Sequence, residues 1–177
     1  MHTGPAGRDA LAVRSQAMAK KAAGTPATVL LTAQKVPFTL HEYEVSADAP
    51  NYGALVAEAL GVAPELMFKT LIAEVDGALT VGVVPVTGDL DLKALATAVG
   101  GKRAGLADRT AAERSSGYVR GGISPLGQRK RLPTVIDESA ETLDLMYVSA
   151  GRRGLQVALA PADLIRLTTA QTAPIRT

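Results

Sequence analysis

The stretch from Phe68 to Val84 constrains this chain more than any other. Two runs rich in β-branched and apolar residues, Phe68–Val75 and Ala78–Val84, flank the dipeptide Asp76-Gly77. A two-residue connection whose glycine tolerates positive φ predicts a β-hairpin closed by a tight turn. Period-two alternation then assigns the faces, and Lys69 shares one with Leu71, Ala73 and Val75. An ammonium at the end of an apolar row either snorkels to water at the strand's mouth or is held there for a ligand.

The rest of the chain supplies helices and short strands in irregular alternation. Thr25-Pro26 before Ala27, Leu30 and Leu31 reads as an N-cap, a first-turn proline and an apolar stripe, opening a helix to about Lys35 that Pro37 stops. Phe38–Tyr43 alternates like a strand, and Asn51–Leu60 reads as a helix closed by Gly61. Asp89 or Asp91 can cap a helix carrying Leu92, Leu95, Ala96 and Val99, and Asp108–Ser116 a further short one ending at Gly117. Thr134–Asp137, Met146–Ser149 and Leu155–Leu159 are strand-like, and Pro161–Leu167 closes as a helix. Short turns between strands argue for an α+β domain on a mixed, largely antiparallel sheet rather than regular βαβ units. One domain is expected over 25–177, preceded by a flexible or loosely helical extension over 1–24.

Composition narrows the chemistry. The 177 residues include no cysteine, which excludes a thiolate nucleophile and cysteine-ligated metal sites. His2 falls in the extension, and His41, the only other histidine, is expected to face solvent from its strand, so a Ser-His-Asp arrangement has little to build on. No metal-binding motif is present, and no cofactor is expected. Charge, glycine or proline interrupts every apolar run before it reaches a membrane span, and the first residues lack the apolar core of a secretory signal, so a cytoplasmic protein is expected. The net charge is only +2, with a pI near 9.0. Its basic residues cluster at Lys102-Arg103, Arg129-Lys130-Arg131 and Arg152-Arg153; these are either solvated turns or, gathered on one face, the footprint of a nucleic acid.

The loop Gly121-Gly122-Ile123-Ser124-Pro125-Leu126-Gly127-Gln128 is the second place where chemistry is expected. Paired glycines let backbone N–H groups approach an anion or a carbonyl oxygen, and Ser124 and Gln128 add side-chain hydrogen bonds. The spacing matches neither a Walker A nor a dinucleotide fingerprint. A site assembled from these parts works by positioning and electrostatics, without an activated protein nucleophile.

Several segments in order carry a family resemblance: Thr25-Pro26-Ala27, Phe68-Lys69-Thr70-Leu71, Arg114-Ser115-Ser116-Gly117-Tyr118, the glycine loop, Lys130-Arg131-Leu132-Pro133-Thr134, Tyr147-Val148-Ser149 and Gly151-Arg152-Arg153-Gly154-Leu155. Together they resemble the YbaK/EbsC-type Cys-tRNA(Pro) deacylases of the bacterial prolyl-tRNA synthetase editing superfamily. The resemblance implies a barrel-like mixed sheet wrapped by helices, and a cleft that receives the aminoacylated 3′ end of tRNA. It implies cleavage of the ester that joins cysteine to tRNA(Pro), through attack by the substrate's own thiol, with prolyl-tRNA synthetase as a candidate partner. By position it makes Lys69 and Gly121 catalytic, and it places Tyr43, Thr70, Gly122, Ile123, Ser124, Ser149 and Gln156 around the substrate. Arg129, Lys130, Arg131, Arg152 and Arg153 would then meet the tRNA. Gln156 stands where the family often has an acid; it keeps a hydrogen-bond acceptor without the charge. Another mischarged tRNA such as Ala-tRNA(Pro), or tRNA binding without catalysis, are the competing readings.

Overall fold

The computed structural model describes residues 24–46 and 48–177. The extension expected over 1–24 therefore lies, Gly24 apart, outside the described residues. Among the described residues, eight strands and five α-helices follow in the irregular alternation anticipated from the turns.

The hairpin is the spine. Strands β2 (Phe68–Val75) and β3 (Ala78–Pro85) pair antiparallel over eight residues, from Phe68 opposite Pro85 to Val75 opposite Ala78. Asp76 (φ 50°) and Gly77 (φ 83°) are both left-handed, the signature of a type I′ turn whose twist matches its flanking strands. Asp76 has a second role. Its two carboxylate oxygens accept the N–H groups of Lys102 and Arg103 at 2.9 and 3.0 Å, tying the hairpin tip to the segment before β4 (Ala104–Leu106).

Strands β4, β2, β3, β5 (Thr134–Asp137) and β8 (Gln171–Ala173) form one sheet. Strand β1 (Thr39–Glu42), β7 (Leu155–Leu159) and β6 (Met146–Arg152) form a second. A single parallel bridge from Met67 to Tyr147 joins them. The β3–β5 and β5–β8 pairs are parallel and the others antiparallel, so the sheet is mixed and largely antiparallel as expected. The two sheets are not closed into a barrel, so the barrel-like expectation holds only loosely. The two three-residue strands, β4 and β8, have no local period to betray them, since a partner's edge defines them.

Side-chain alternation divides the interior. Phe68, Ile72, Val81 and Val83 face the main core with Leu40, Val148, Val157 and Leu159 of the second sheet. Ala73, Val75 and Val84 face a second cluster under helix α3 (Leu92–Ala98), and Met67, Tyr147, Ala158, Val56 and Ala57 form a third beside α2 (Tyr52–Leu60). Helix α1 (Pro26–Ala33) starts as read, with Thr25 Oγ1 accepting the Thr28 N–H at 3.2 Å. It stops earlier than Pro37 requires, because Lys35 turns left-handed (φ 54°) and the Val36 N–H returns to the Leu31 carbonyl at 3.1 Å. Asp91 caps α3 and Asp108 caps α4 (Arg109–Ser116), by bonds to Ala94 and Ala111. Helix α5 (Pro161–Thr168) leads into β8.

Asp137 fastens the C-terminal segment. Only 4% exposed, it accepts the N–H groups of Ile175 and Arg176 on one oxygen and the N–H and hydroxyl of Ser139 on the other. Removing a buried carboxylate leaves those donors without partners. Asp137→Ala is expected to lower unfolding free energy by about 3 kcal/mol, read from the shift of the urea midpoint.

Candidate active site

Two adjoining hollows open where the third cluster meets the end of the hairpin. The inner one, about 200 Å³, has walls from Val56, Met67, Phe68, Val86 and Ile123, and its polar groups belong to Lys69, Thr70, Ser149, Gln156 and Gly121. The outer one, about 600 Å³, is lined by Lys69, Arg109, Arg120 and Arg153 together with Asp48 and Asp89. Lys69, Gly121, Arg120 and Tyr52 border both, so the smaller, mostly apolar cavity adjoins a charged vestibule.

Lys69 ends up between its two sequence readings. Its side chain is 34% exposed, and Nζ donates to Asp89 Oδ1 at 3.2 Å. Asp89 is 86% exposed, and an ion pair so open to water is worth less than about 1 kcal/mol. The ammonium is thus held over the cavity by a partner that an incoming anion can replace.

Strand pairing sets the floor. His41, Gln156 and Ser149 are directly opposed across β1, β7 and β6, so their side chains share one face of the second sheet. Gln156 is 6% exposed, and its Oε1 has no hydrogen-bond partner among the described residues; the same holds for Thr70 Oγ1. Native interiors rarely leave such atoms unpaired, because each costs about 1–3 kcal/mol. Both line the inner cavity, so a polar ligand seated there would satisfy them.

The glycine loop closes the remaining wall. Gly122 N–H donates to the Val119 carbonyl at 2.9 Å, making a turn in which Gly121 takes φ +86°. This consumes the Gly122 amide and leaves the Gly121 N–H without a protein acceptor among the described residues. Gly122 serves close packing instead: a Cβ there would lie 2.8 Å from the Arg152 backbone. Around the turn the loop is pinned. Tyr118, 4% exposed, donates its hydroxyl to the Leu126 carbonyl at 2.6 Å, and burial raises its pKa above the usual phenol range. Ser124 is fully buried, its Oγ accepting the Leu126 N–H at 3.2 Å and its carbonyl accepting from Gln128 Nε2 at 3.0 Å. Ser124 therefore supports the loop from behind and does not reach the cavity.

Glu113 on α4 holds the vestibule. Its Oε1 accepts Arg109 Nε at 3.0 Å and the Arg120 N–H at 3.1 Å, and the Arg120 carbonyl in turn accepts Arg153 Nε at 2.8 Å. The Arg120 backbone bond first, and Arg109 second, hold the Glu113 carboxyl below its usual pKa.

The sequence profile of the aminoacyl-tRNA editing domain family matches residues 49–167, which carry nearly every wall of both hollows. The chain belongs to that family. EbsC of Enterococcus faecalis, described as a candidate Cys-tRNA(Pro)/Cys-tRNA(Cys) deacylase, is 39% identical to this editing domain over 156 residues, covering 86% of this chain and 93% of EbsC. The fold matches a solved candidate trans-editing enzyme for prolyl-tRNA synthetase with a TM-score of 0.76 at 22% identity, covering 86% of this chain and 95% of that one. A second solved chain, named only as hypothetical, matches at the same TM-score and identity, over 86% of this chain and 99% of its own. The likeness to the YbaK/EbsC type drawn from the ordered motifs thus holds, and so does the α+β fold it implied.

Within the editing domain, Lys69, Thr70, Gly121, Ile123, Ser149 and Gln156 line one cavity. Tyr43 stands one layer back: it is 8% exposed and its hydroxyl lies 2.7 Å from that of Tyr52, which is the ring lining both hollows. The basic clusters separate. Arg153 reaches the vestibule, Arg152 pairs with Glu42 at 3.5 Å, and Lys130 and Arg131 border a different depression beside Leu30 and Leu167, with Arg131 bonded to Thr169 and Arg129 packed over Gly117. Sequence reasoning missed Tyr52, Arg109, Arg120 and Asp89. Each sits singly in a helix or turn, and only Arg120, next to the paired glycines, carried a local hint.

His41 was expected to face water and is half-buried instead, its Nε2 2.8 Å from Thr39 Oγ1 and its ring edge-on to Tyr147 at 5.2 Å. Desolvation lowers its pKa from the usual 6.5. Above that value both folded and unfolded chains hold it neutral and its contribution to stability is complete. As pH falls below 6.5 the unfolded chain takes up the proton first, and stability is lost until the folded pKa is passed. The melting temperature of wild type is expected to fall between pH 7 and 5, and His41→Gln to flatten that part of the profile.

Proposed function

We propose that this chain is a free-standing aminoacyl-tRNA deacylase that removes cysteine from mischarged tRNA(Pro), the product of an error by prolyl-tRNA synthetase. Membership of the editing family and the relation to EbsC support deacylation. The observation that carries the assignment to this site is the pair of unsatisfied atoms, Thr70 Oγ1 and Gln156 Oε1, in a cavity of about 200 Å³ beneath Lys69. In this reading the smaller hollow takes the aminoacyl group and the larger one, about 600 Å³, the terminal nucleoside.

In this reading the ester carbonyl sits between Lys69 Nζ and the free Gly121 N–H, and both stabilise negative charge on its oxygen as it becomes tetrahedral. Gln156 Oε1 accepts from the substrate's amino group, and Thr70 Oγ1 completes the polar lining. Ile123, Met67 and Val56 enclose the cysteine side chain. The substrate sulfur attacks its own carbonyl carbon, the bond from that carbon to the ribose oxygen breaks, and the thiol proton passes to the departing ribose hydroxyl. The products are a cyclic thiolactone and free tRNA. No protein nucleophile is consumed, in keeping with a chain that has no cysteine and whose described histidine borders neither hollow.

Release of labelled cysteine from Cys-tRNA(Pro) tests this. Lys69→Ala is expected to cut kcat by about 10²-fold, the scale for loss of one oxyanion donor; a rate equal to wild type removes Lys69 from the mechanism. Across a panel of aminoacyl-tRNAs only cysteinyl esters are expected to be cleaved, and a preference for Ala-tRNA(Pro) overturns the cyclisation step. Gln156→Leu has a two-sided outcome. It is expected to lower kcat/KM about tenfold while leaving the melting temperature equal or higher, because a buried acceptor without a partner is removed.

A further inference from the structure

The reading above accounts for the inner cavity and Lys69 but gives no task to Arg109, Arg120 and Arg153. These three side chains come from the start of α4, the turn before Gly121 and the β6–β7 connection, and all border the vestibule. Like charges brought together repel, so their convergence needs a cause. It is supplied by one chain of hydrogen bonds: Arg109 Nε and the Arg120 N–H both donate to Glu113 Oε1, and Arg153 Nε donates to the Arg120 carbonyl. Where Arg109 and Arg153 are held, the contact is through Nε. Among the described residues, no protein group accepts from the terminal Nη nitrogens of any of the three. Two guanidiniums are thus oriented by their stems, and all three leave their bidentate edges open, the geometry that suits phosphate.

We propose that Glu113 is a positioning residue that holds Arg109, Arg120 and Arg153 as a seat for the phosphodiesters preceding the terminal nucleoside of a single-stranded RNA 3′ end. This rests on the function proposed above and specifies which atoms grip its substrate. RNA is the ligand class because the seat opens onto the same cavity: Arg120, Gly121 and Lys69 border both hollows. A chain whose ester lies in the inner cavity must lead its adjacent phosphates through the vestibule. Of the two carboxylates there, Asp89 is paired with Lys69, which leaves Asp48 alone against three arginines.

The test measures affinity for a short single-stranded RNA ending in CCA as a function of salt, together with deacylation of Cys-tRNA(Pro). Arg120→Gln and Arg153→Gln are each expected to weaken RNA binding about tenfold and to lower the slope of log affinity against log salt by about 0.7, one phosphate contact on a single strand. Their loss in deacylation should fall on KM. Glu113→Ala is the decisive variant. Removing a negative charge strengthens RNA binding if only net charge counts, whereas loss of positioning weakens it; weakening of about fivefold is expected, with Glu113→Gln, which keeps an acceptor oxygen, recovering most of it. The same RNA with neutral methylphosphonate linkages should bind wild type and Arg120→Gln alike. Tighter or unchanged binding by a folded Glu113→Ala overturns the positioning role, and unchanged salt slopes in both arginine variants overturn the seat while leaving the deacylase reading intact. RNA binding with the expected slopes but no ester cleavage by wild type sinks the deacylase reading and leaves the seat standing.

Discussion

The register of the central hairpin is the constraint on which the rest depends. With Phe68 opposite Pro85 and Lys69 opposite Val84, one face of β2 enters the main core and the other runs from the second cluster out to the vestibule. A slip of one residue would send Lys69 inward and Phe68 outward. That error is closed off at the tip: the Asp76-Gly77 turn sets the pairing, and the Asp76 carboxylate clamps it to Lys102 and Arg103. A two-residue turn more than 20 Å of strand away thus determines where the ammonium stands, at the usual rise of about 3.4 Å per residue.

The second requirement is a wall with one free amide, and the glycine loop meets it by spending its other polar groups. Gly122 gives its N–H to the turn and packs against the Arg152 backbone, Ser124 and Tyr118 bond to Leu126, and Gly127 meets the start of α1 where a Cβ would come within 2.7 Å of Pro26. What remains is the Gly121 N–H, which has no protein acceptor among the described residues, on a residue that lines the cavity. In the proposed reaction, rigid backing of this kind would hold a donor in place without reorganisation as charge develops. The unsatisfied Thr70 and Gln156 oxygens complete the picture from the opposite side. Their desolvation lowers the stability of the empty protein, and a bound ligand relieves it.

Electrostatics divides between the two hollows. The inner one is mostly apolar with a few directed polar atoms, which favours selection by shape and hydrogen bonding. The outer one is bordered by Lys69, Arg109, Arg120 and Arg153, with Glu113 bonded to the Arg109 side chain and the Arg120 backbone and Arg153 bonded to the Arg120 carbonyl. The consecutive basic residues that dominate the sequence, Arg129 to Arg131, border neither. Adjacency along the chain was a poor guide here, since a run of cations spreads over the surface of a turn, while Arg109, Arg120 and Arg153 meet only because three separate elements end at the same place.

Much of this protein was settled by local sequence. Asp76-Gly77 between alternating runs determined the hairpin, Thr25, Asp91 and Asp108 determined where helices start, and the order of short motifs marked the family. These readings succeeded because caps, turns and strand periods act within a few residues. The tertiary structure alone decided that Tyr52 rather than Tyr43 lines the cavity, that His41 is half-buried, that β4 and β8 exist, and that Gly121 rather than Gly122 keeps a free amide. It also decided which arginines face the vestibule. Each of those outcomes turns on which distant segment occupies the space beside a residue, and no period or spacing along the chain encodes that.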